Sequence, residues 1–276
     1  MLLTQYGIEA TSIEQSSLGA GSSTYYILGD SEEYVLKFPA TSEINHPYQE
    51  IELCEYLLDC GMKVSKFIPN TNGRYISKDE TGQGFFKNMT PQRGLASYKR
   101  SLLIAKKLGD ENVIEDLKYR IGQMNKFPRM EFDLSKLTCQ GTHGDYMISQ
   151  IICGENTING VIDWTTACVH PVVWEVIRSY LYGAQSCRSG QIDIADFIRY
   201  VENYLSYATL NKYDIDMMAN LFYYQISVCD YYGQYYGSTA QNRIIFLQQA
   251  QFSTKLMKWF EENSNLMTEE LCNHFG

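Results

Sequence analysis

The feature that most constrains the fold is a change in hydrophobic pattern along the 276-residue chain. Up to about residue 90, short alternating apolar runs such as 34–38 are typical of β-strands, and one helical segment, 48–60, interrupts them. Beyond residue 91 helical spacing dominates, apart from a strand–turn–strand pattern at 150–163. We therefore expect an α+β fold with a small β-rich lobe, residues 1–90, and a larger, mostly helical lobe, residues 91–276.

The same patterns predict the individual elements of both lobes. Short β-like runs lie at 10–15, 24–28, 34–38, 74–76, 84–86 and 137–139. Helical spacing in the second lobe covers 95–108, 112–124, 172–184, 192–207, 213–236 and 240–262.

Composition and charge limit the classes of partner. The net charge of −9 argues against nucleic acid, because contacts with its phosphates need a basic face. No run of about 20 apolar residues and no secretory start is present, so no membrane partner and a cytoplasmic location are expected. The eight cysteines form no C-x-x-C pair and are interpreted as reduced thiols. The sequence does not indicate an oligomeric state.

The first lobe contains residues suited to binding a nucleotide. Gly19 and Gly21 lie in a turn between two strands, where glycines let backbone amides approach phosphates, although a plain hairpin turn explains them equally well. Lys37 lies inside the strand 34–38 and must place its ammonium group near solvent or near an anion. Glu50, early in the next helix, is a candidate partner for Lys37, since phosphotransferases use such an ion pair to orient ATP.

The second lobe contains a more specific pattern, His143-Gly144-Asp145 followed five positions later by Gln150. An aspartate in this pattern accepts or orients the proton of an attacking hydroxyl, and the amide side chain binds a magnesium ion. A capped turn with a core histidine explains each residue singly but not their order.

Asp163 ends the hydrophobic run 160–163, 18 residues after Asp145. The intervening sequence predicts a hairpin, which brings its two ends together, so we expect both aspartates to open into one site. Carboxylate oxygens converging near a triphosphate are suited to Mg²⁺.

With these motifs the chain resembles the aminoglycoside phosphotransferase and choline kinase superfamily, which has a two-lobed protein-kinase-like fold. The motifs His143-Gly144-Asp145 and Ile162-Asp163-Trp164 resemble that superfamily's Brenner-type motifs. The resemblance implies that Asp145 is the catalytic base, with His143 in the same triplet, and that ATP and Mg²⁺ are cofactors. It also implies that Asp163 is the principal magnesium ligand.

The resemblance implies further roles in the same way. Lys37 takes the position of the α/β-phosphate lysine, with Glu50 as its helix partner. Glu175 takes the position of an acidic residue that stabilises the catalytic region. Residues 87–90, including Met89, form the link between the lobes, where the backbone meets the adenine.

Gln150 departs from the superfamily, which nearly always has asparagine there. Glutamine carries the same amide on a stem that is longer by about 1.5 Å. Misplacement on that scale costs on the order of 100-fold in rate. The sequence therefore leaves two interpretations of Gln150: a magnesium ligand after a small loop adjustment, or an amide placed too far away to bind the metal.

Together these patterns predict an ATP-dependent small-molecule kinase with a hydroxyl acceptor such as an amino sugar or amino alcohol. A nucleotide- or metabolite-binding pseudokinase is the alternative, motivated by Gln150, and a protein kinase ranks below both. The acceptor is not fixed, nor is the choice between ATP and GTP. A tyrosine-rich segment, 223–236, and the acidic residues Asp193, Asp196, Asp214, Asp216 and Asp230 offer a site for a cation, but core packing and solvated faces explain them more simply.

Overall fold

The computed structural model describes residues 6–16, 23–29, 32–38, 47–73, 91–126, 132–238 and 243–276. Gly19, Gly21 and Met89 lie outside these residues, and so do the strands predicted at 74–76 and 84–86. In the part that is described, no helix is long and apolar enough to span a membrane.

The chain divides into two compact units. Unit 1 comprises Met1–Lys87 and Ser149–Ala167, and unit 2 comprises Asn88–Ile148 and Cys168–Gly276. The first boundary between the units, at 87/88, lies close to the boundary predicted at 90/91. The segment 149–167, which contains the predicted hairpin, groups with unit 1 rather than with the helices of unit 2. It does so because Val161 bridges to Val64 and its amide donates to the carbonyl of Lys63, at 3.1 Å.

Unit 1 begins with a three-stranded antiparallel sheet in the order β1-β2-β3. The strands are β1 (Ala10–Gln15), β2 (Ser23–Gly29) and β3 (Glu33–Phe38), as the alternating pattern predicts. Tyr26 pairs with Val35 and Thr24 pairs with Lys37, so these four residues share one face of the sheet. Ile27, on the opposite face, is buried.

The rest of unit 1 is one helix and one hairpin. Helix α1 (Pro47–Asp59) buries Ile51 and Cys54. Strands β5 (Ile151–Cys153) and β6 (Ile158–Val161) pair antiparallel, as predicted, and a short 3₁₀ helix, Trp164–Thr166, follows them and packs against α1.

Unit 2 consists mainly of helices. Their bounds are α2 (Pro91–Leu108), α3 (Glu111–Lys126), α4 (Val172–Gly183), α5 (Ile194–Leu205), α6 (Lys212–Val228), α7 (Tyr231–Gly237) and α8 (Arg243–Phe275). Apolar residues of α4 to α6 and α8 form its largest core, in which Val173, Ile177, Phe197, Met218 and Phe260 are fully buried.

Two helix predictions in unit 2 were wrong. The segment 213–236 is two helices, because the backbone is extended at Cys229 and the Tyr98 hydroxyl lies 2.8 Å from the carbonyl oxygens of both Ser227 and Cys229. The last helix continues from 262 to Phe275, because Met267 and Leu271 are fully buried on the face that packs against the core.

A two-stranded antiparallel ladder positions the loop that follows residue 142. Strand β4 (Cys139–Thr142) pairs with β7 (Cys168–Pro171), a strand that the sequence pattern did not predict. The amide of Val172 donates to the carbonyl of Thr138 at 3.0 Å, which continues the ladder into the start of α4. The loop 143–148 therefore leaves β4 beside the first turns of α4.

Candidate functional site

In unit 1, Lys37 and Asp163 form an ion pair. The Lys37 Nζ donates to Asp163 Oδ1 at 2.5 Å, joining β3 to the end of the β5–β6 hairpin across 126 residues of sequence. The two side chains are 27% and 41% exposed, so the pair is open to solvent on one side. Sequence reasoning assigned both residues to one site but did not pair them directly.

The backbone of Asp163 has an unusual conformation. Its φ of 63° and ψ of 56° lie in the left-handed region, and it is the one non-glycine residue with positive φ in the described ranges. Such a conformation costs on the order of 1–3 kcal/mol and persists where the surrounding structure imposes it. Here the indole Nε1 of Trp164 donates to the carbonyl of Val161, at 3.1 Å, and closes the turn around Asp163.

Gln150 lies beside Asp163 at the open end of the hairpin. It directly precedes β5, and its backbone carbonyl accepts a hydrogen bond from the amide of Ile162 at 2.9 Å. The two predicted metal ligands are thus brought together at one hairpin end. No group of three or more His, Cys, Asp or Glu residues suited to a metal occurs in the described segments. Any cation here would therefore rely on a carboxylate, an amide and oxygens from a substrate.

Glu50 lies buried in the first turn of α1. Burial, and secondarily the charge of Glu50, raises the pKa of the nearby Cys54 thiol to about 12. A partnership between Lys37 and Glu50 stays a prediction, whereas the pairing of Lys37 with Asp163 is direct.

In unit 2, Glu175 holds the loop that contains Asp145. Its carboxylate accepts hydrogen bonds from the amides of His143 at 2.9 Å, Gly144 at 2.6 Å and Tyr146 at 3.5 Å. Because Glu175 lies in the first turn of α4, the helix fixes this carboxylate rigidly. Gly144 has a φ of 80°, which permits the tight turn that aims successive amides at one acceptor. The arrangement agrees with the stabilising role implied for Glu175.

The buried ring of His143 packs within the same loop, the one that contains Asp145. The Nδ1 of His143 lies 3.4 Å from the amide of Asp145, and the ring packs edge-on against Tyr146 with ring centres 5.8 Å apart. The contact of His143 with Asp145 is therefore with the backbone.

Asp145 pairs with Arg178, a residue that sequence reasoning missed. One guanidinium nitrogen of Arg178 donates to Asp145 Oδ1, and the two side chains are 11% and 36% exposed. The guanidinium lies 4.8 Å from the ring centre of Tyr182 and 5.6 Å from that of Trp174. Helical spacing is the sequence signal that could have identified Arg178, because this residue is three positions after Glu175 and so faces the same side of α4.

The tyrosine-rich segment and the acidic residues form part of the protein's own packing. Tyr223 and Tyr232 are buried, in agreement with the simpler interpretation. Asp214 is buried and accepts hydrogen bonds from Thr138, and Asp196 accepts one from the Tyr180 hydroxyl at 2.8 Å. Three further carboxylates also have protein partners: Asp193, Asp216 and Asp230.

Comparison with known proteins finds a family model that matches part of the chain. Residues 76–208, which include the Asp145 loop, the hairpin and Arg178, match the model of the phosphotransferase enzyme family. The matched segment covers just under half of the chain, and over that range the chain is similar to the family. The predicted resemblance is thereby confirmed, and the matched family consists of phosphotransferases, the predicted enzyme class.

Solved structures of low sequence identity share the fold. A spectinomycin phosphotransferase in complex with ADP and spectinomycin is 13% identical with a TM-score of 0.50, over 98% of this chain and 96% of that one. A microcompartment-associated aminopropanol kinase is 12% identical with a TM-score of 0.56, over 96% and 97%. The GDP complex of aminoglycoside 2'-phosphotransferase-IIIa is 17% identical with a TM-score of 0.50, over 92% and 96%.

These likenesses confirm the predicted two-lobed protein-kinase-like fold. No curated protein sequence matched the chain.

Proposed function

We propose that the protein transfers the γ-phosphoryl group of ATP to a hydroxyl of a small molecule such as an amino sugar, an amino alcohol or a similar compound. The observation that carries the proposal is the ion pair between Lys37 and Asp163 in unit 1. A lysine that binds phosphates and a carboxylate that binds a metal are the two groups that a metal–nucleotide complex needs side by side. Without a nucleotide these two groups neutralise each other.

The sheet face that carries Lys37 supports binding of a nucleotide base. Val35 lies two residues before Lys37 on β3, and Tyr26 lies opposite Val35 on β2. Both apolar side chains are exposed next to a cation. An apolar surface ending in a lysine fits a planar base followed by phosphates, and it does not distinguish adenine from guanine.

Asp163 and Gln150 fit a magnesium ion as protein ligands. Magnesium prefers oxygen ligands, and in nucleotide sites one or two protein groups suffice because phosphates and waters complete the coordination. A carboxylate and an amide at the same hairpin end match that requirement. When bound, the metal and ATP supply the transferable phosphoryl group and neutralise its charge.

Asp145 is proposed as the base that accepts the proton of the acceptor hydroxyl. The Arg178 guanidinium donates to this carboxylate and holds it in one orientation. The three amides bound to Glu175 fix the loop, so the carboxylate is positioned before an acceptor binds. His143 supports the loop backbone in this scheme and does not act as the base.

The test is an ATP-consumption screen over amino sugars, amino alcohols and sugars, with and without Mg²⁺ and with ATP or GTP. Asp145→Asn should lower transfer by about 10²- to 10⁴-fold, the usual contribution of general base catalysis, while nucleotide still stabilises the protein in thermal melts. Asp163→Asn should abolish the Mg²⁺-dependent part of that stabilisation. The exposed Asp133→Asn serves as the matched control. A wild-type protein that binds no nucleotide would refute the proposal.

Gln150 motivates a second candidate, a nucleotide-binding protein with little turnover. Stabilisation by ATP and Mg²⁺ with transfer to no acceptor would favour it. Gln150→Asn separates the two candidates, because the shorter side chain restores the ligand typical of the superfamily. If phosphoryl transfer appears only in Gln150→Asn, the wild-type protein is the nucleotide-binding protein. If the wild type already transfers phosphate and Gln150→Asn changes the rate by less than about 100-fold, the wild-type protein is the kinase.

A further inference from the structure

The surroundings of Arg178 contain hydrogen-bond donors that the protein itself does not use. Arg178 Nη2 binds Asp145, but Nη1 is buried and has no hydrogen-bond partner in the described part of the chain. One turn earlier on α4, Trp174 Nε1 is likewise buried without a partner among those residues. Nearly all buried polar groups in native proteins are paired, so two neighbouring exceptions need an explanation.

These two donors are close to each other and to Asp145. The guanidinium carbon of Arg178 lies 5.6 Å from the Trp174 ring centre, and the same guanidinium binds the Asp145 carboxylate. Residues four apart on a helix share one face, so both donors belong to the face of α4 that supports the proposed base. Arg120, elsewhere in unit 2, shows that this fold can satisfy every nitrogen of a buried arginine when its role is structural.

The chemistry of the donors selects the group that would pair with them. An arginine N–H and an indole N–H can only donate, so their partner must be an acceptor. A second cation at this place would be repelled by the guanidinium, whereas a carboxylate or phosphate offers two or more acceptor oxygens and matches the geometry that arginine binds best.

We propose that the hydroxyl-bearing acceptor carries an anionic oxygen group, a carboxylate or a phosphate, which binds Arg178 and the indole N–H of Trp174 beside Asp145. The inference rests on the proposed function, because it takes the group next to Asp145 to be the acceptor. It narrows the acceptor to hydroxy acids, hydroxy amino acids or sugar phosphates, and an amine elsewhere in the molecule is compatible with it. Arg178 is then a specificity-determining residue as well as the partner of the base.

Matched probes that differ in one group test the proposal. Serine is ethanolamine plus a carboxylate, glycerate is the carboxylate analogue of glycerol, and ribose 5-phosphate is ribose plus a phosphate. Binding is measured by thermal shift in the presence of Mg²⁺ and a non-hydrolysable ATP analogue, and transfer by ATP consumption. In at least one pair, the anionic member should bind or react at least tenfold better than its partner. The first two pairs report on a carboxylate and the third on a phosphate.

Variants then assign the preference to the two donors. Arg178→Gln should remove at least tenfold of the anionic preference, Arg178→Lys should retain part of it, and Trp174→Phe, which keeps the ring but not the N–H, should weaken it by a smaller factor. Arg199→Gln, an exposed arginine of α5, is the charge-matched control. Arg178→Gln also removes the partner of Asp145. If Arg178→Gln does not fold, Trp174→Phe still tests the anion site.

The outcomes separate this inference from the proposed function. If transfer fails for every compound but anionic probes still bind through Arg178, the kinase proposal falls and the anion site stands. If transfer occurs and the neutral or cationic member of every pair is the better ligand, the anion site falls and the kinase proposal stands. Equal losses for charged and uncharged probes in Arg178→Gln would also overturn the anion site. Asp145→Asn should lose transfer while keeping the anionic preference.

Discussion

Two arginines of unit 2, Arg120 and Arg178, are both largely buried, yet their surroundings differ. Arg120 is 1% exposed, and each of its nitrogens has a partner. Its Nε donates to Thr254 at 2.7 Å, Nη1 to the Tyr98 hydroxyl at 3.0 Å and Nη2 to the Ala250 carbonyl at 2.8 Å. Arg178 binds a single carboxylate and leaves one nitrogen without a partner among the described residues.

The difference indicates what each residue is for. A complete network around a buried charge compensates its desolvation and fixes the packing of the helices that supply the partners. Arg120 joins α3 to α2 and α8 in this way. An incomplete network costs free energy in the isolated protein, and such costs are concentrated at sites that bind ligands. The comparison therefore separates a structural arginine from the one that we propose binds the acceptor, within the same unit.

The largest effect is expected at Arg120. Arg120→Met fills most of the space but removes the hydrogen bonds that the guanidinium makes with Thr254, the Tyr98 hydroxyl and the Ala250 carbonyl. Removing one member of a buried charged network costs about 3–5 kcal/mol. The free energy of unfolding, measured by urea denaturation, should fall by that amount, while transfer per folded molecule stays unchanged.

The control for this prediction is Arg199→Met, which removes an exposed ion pair with Asp196 and should change the free energy of unfolding by less than about 1 kcal/mol. If Arg120→Met were as stable as the control, the distinction between the two arginines would fail. A loss of specific activity without a loss of stability would mean that Arg120 is functional as well.

A smaller effect, on activity rather than stability, is expected at Glu175. Glu175→Gln removes the charge that accepts the amides of His143 and Gly144 and places an amide N–H where an acceptor is needed. A hydrogen bond to a charged group contributes about 1.5–3 kcal/mol, so looser positioning of Asp145 should lower kcat by about 10- to 100-fold. Nucleotide-dependent stabilisation should not change, since Lys37 and Asp163 belong to unit 1.

The matched control is Glu202→Gln, an exposed glutamate of α5 that pairs with His274. If kcat survived in Glu175→Gln, the loop would be held by its backbone alone. The Asp145–Arg178 pair would then be the main determinant of the base's position.

Local patterns made the segments that carry the candidate residues predictable from sequence. The hairpin that ends in Asp163, the loop around Asp145 and the position of Gln150 depend on turns and strand alternation over about 20 residues, and these signals survive in one sequence. The fold class followed from the order of such patterns along the chain.

The parts that were missed depend on partners that are distant in sequence. Lys37 had two candidate carboxylates, Glu50 and Asp163, and nothing local indicates that the one 126 residues away is hydrogen-bonded to it. The break before α7 depends on the Tyr98 hydroxyl, about 130 residues earlier. Periodicity describes which face of an element is buried, but it does not identify the residue that the face meets.

The smallest expected effect is a pH dependence in the surroundings of Arg178. His170 packs against Trp174 with ring centres 4.9 Å apart, and burial lowers the pKa of His170 below its ordinary value of 6.5, opposed by the charge of Glu175. The unfolded chain therefore binds a proton near pH 6.5 that the folded protein binds only at lower pH. Stability from this residue is fully present above pH 6.5 and is lost as the pH falls toward the folded-state pKa.

Melting temperatures measured from pH 7.5 to 5.5 should show this loss in wild type, and it should be smaller in His170→Asn. Because one proton is involved, the equilibrium constant for folding changes by at most about tenfold per pH unit. An anionic ligand on Arg178 and Trp174 would lie near His170 and would favour its protonated form. The anion would thus raise the folded-state pKa of His170 toward the unfolded value, so the wild-type loss should become smaller when an anionic probe is bound, and not when its neutral partner is added. An identical change with both would argue against an anion beside Trp174, whereas Arg120→Met should leave the pH dependence of stability unchanged.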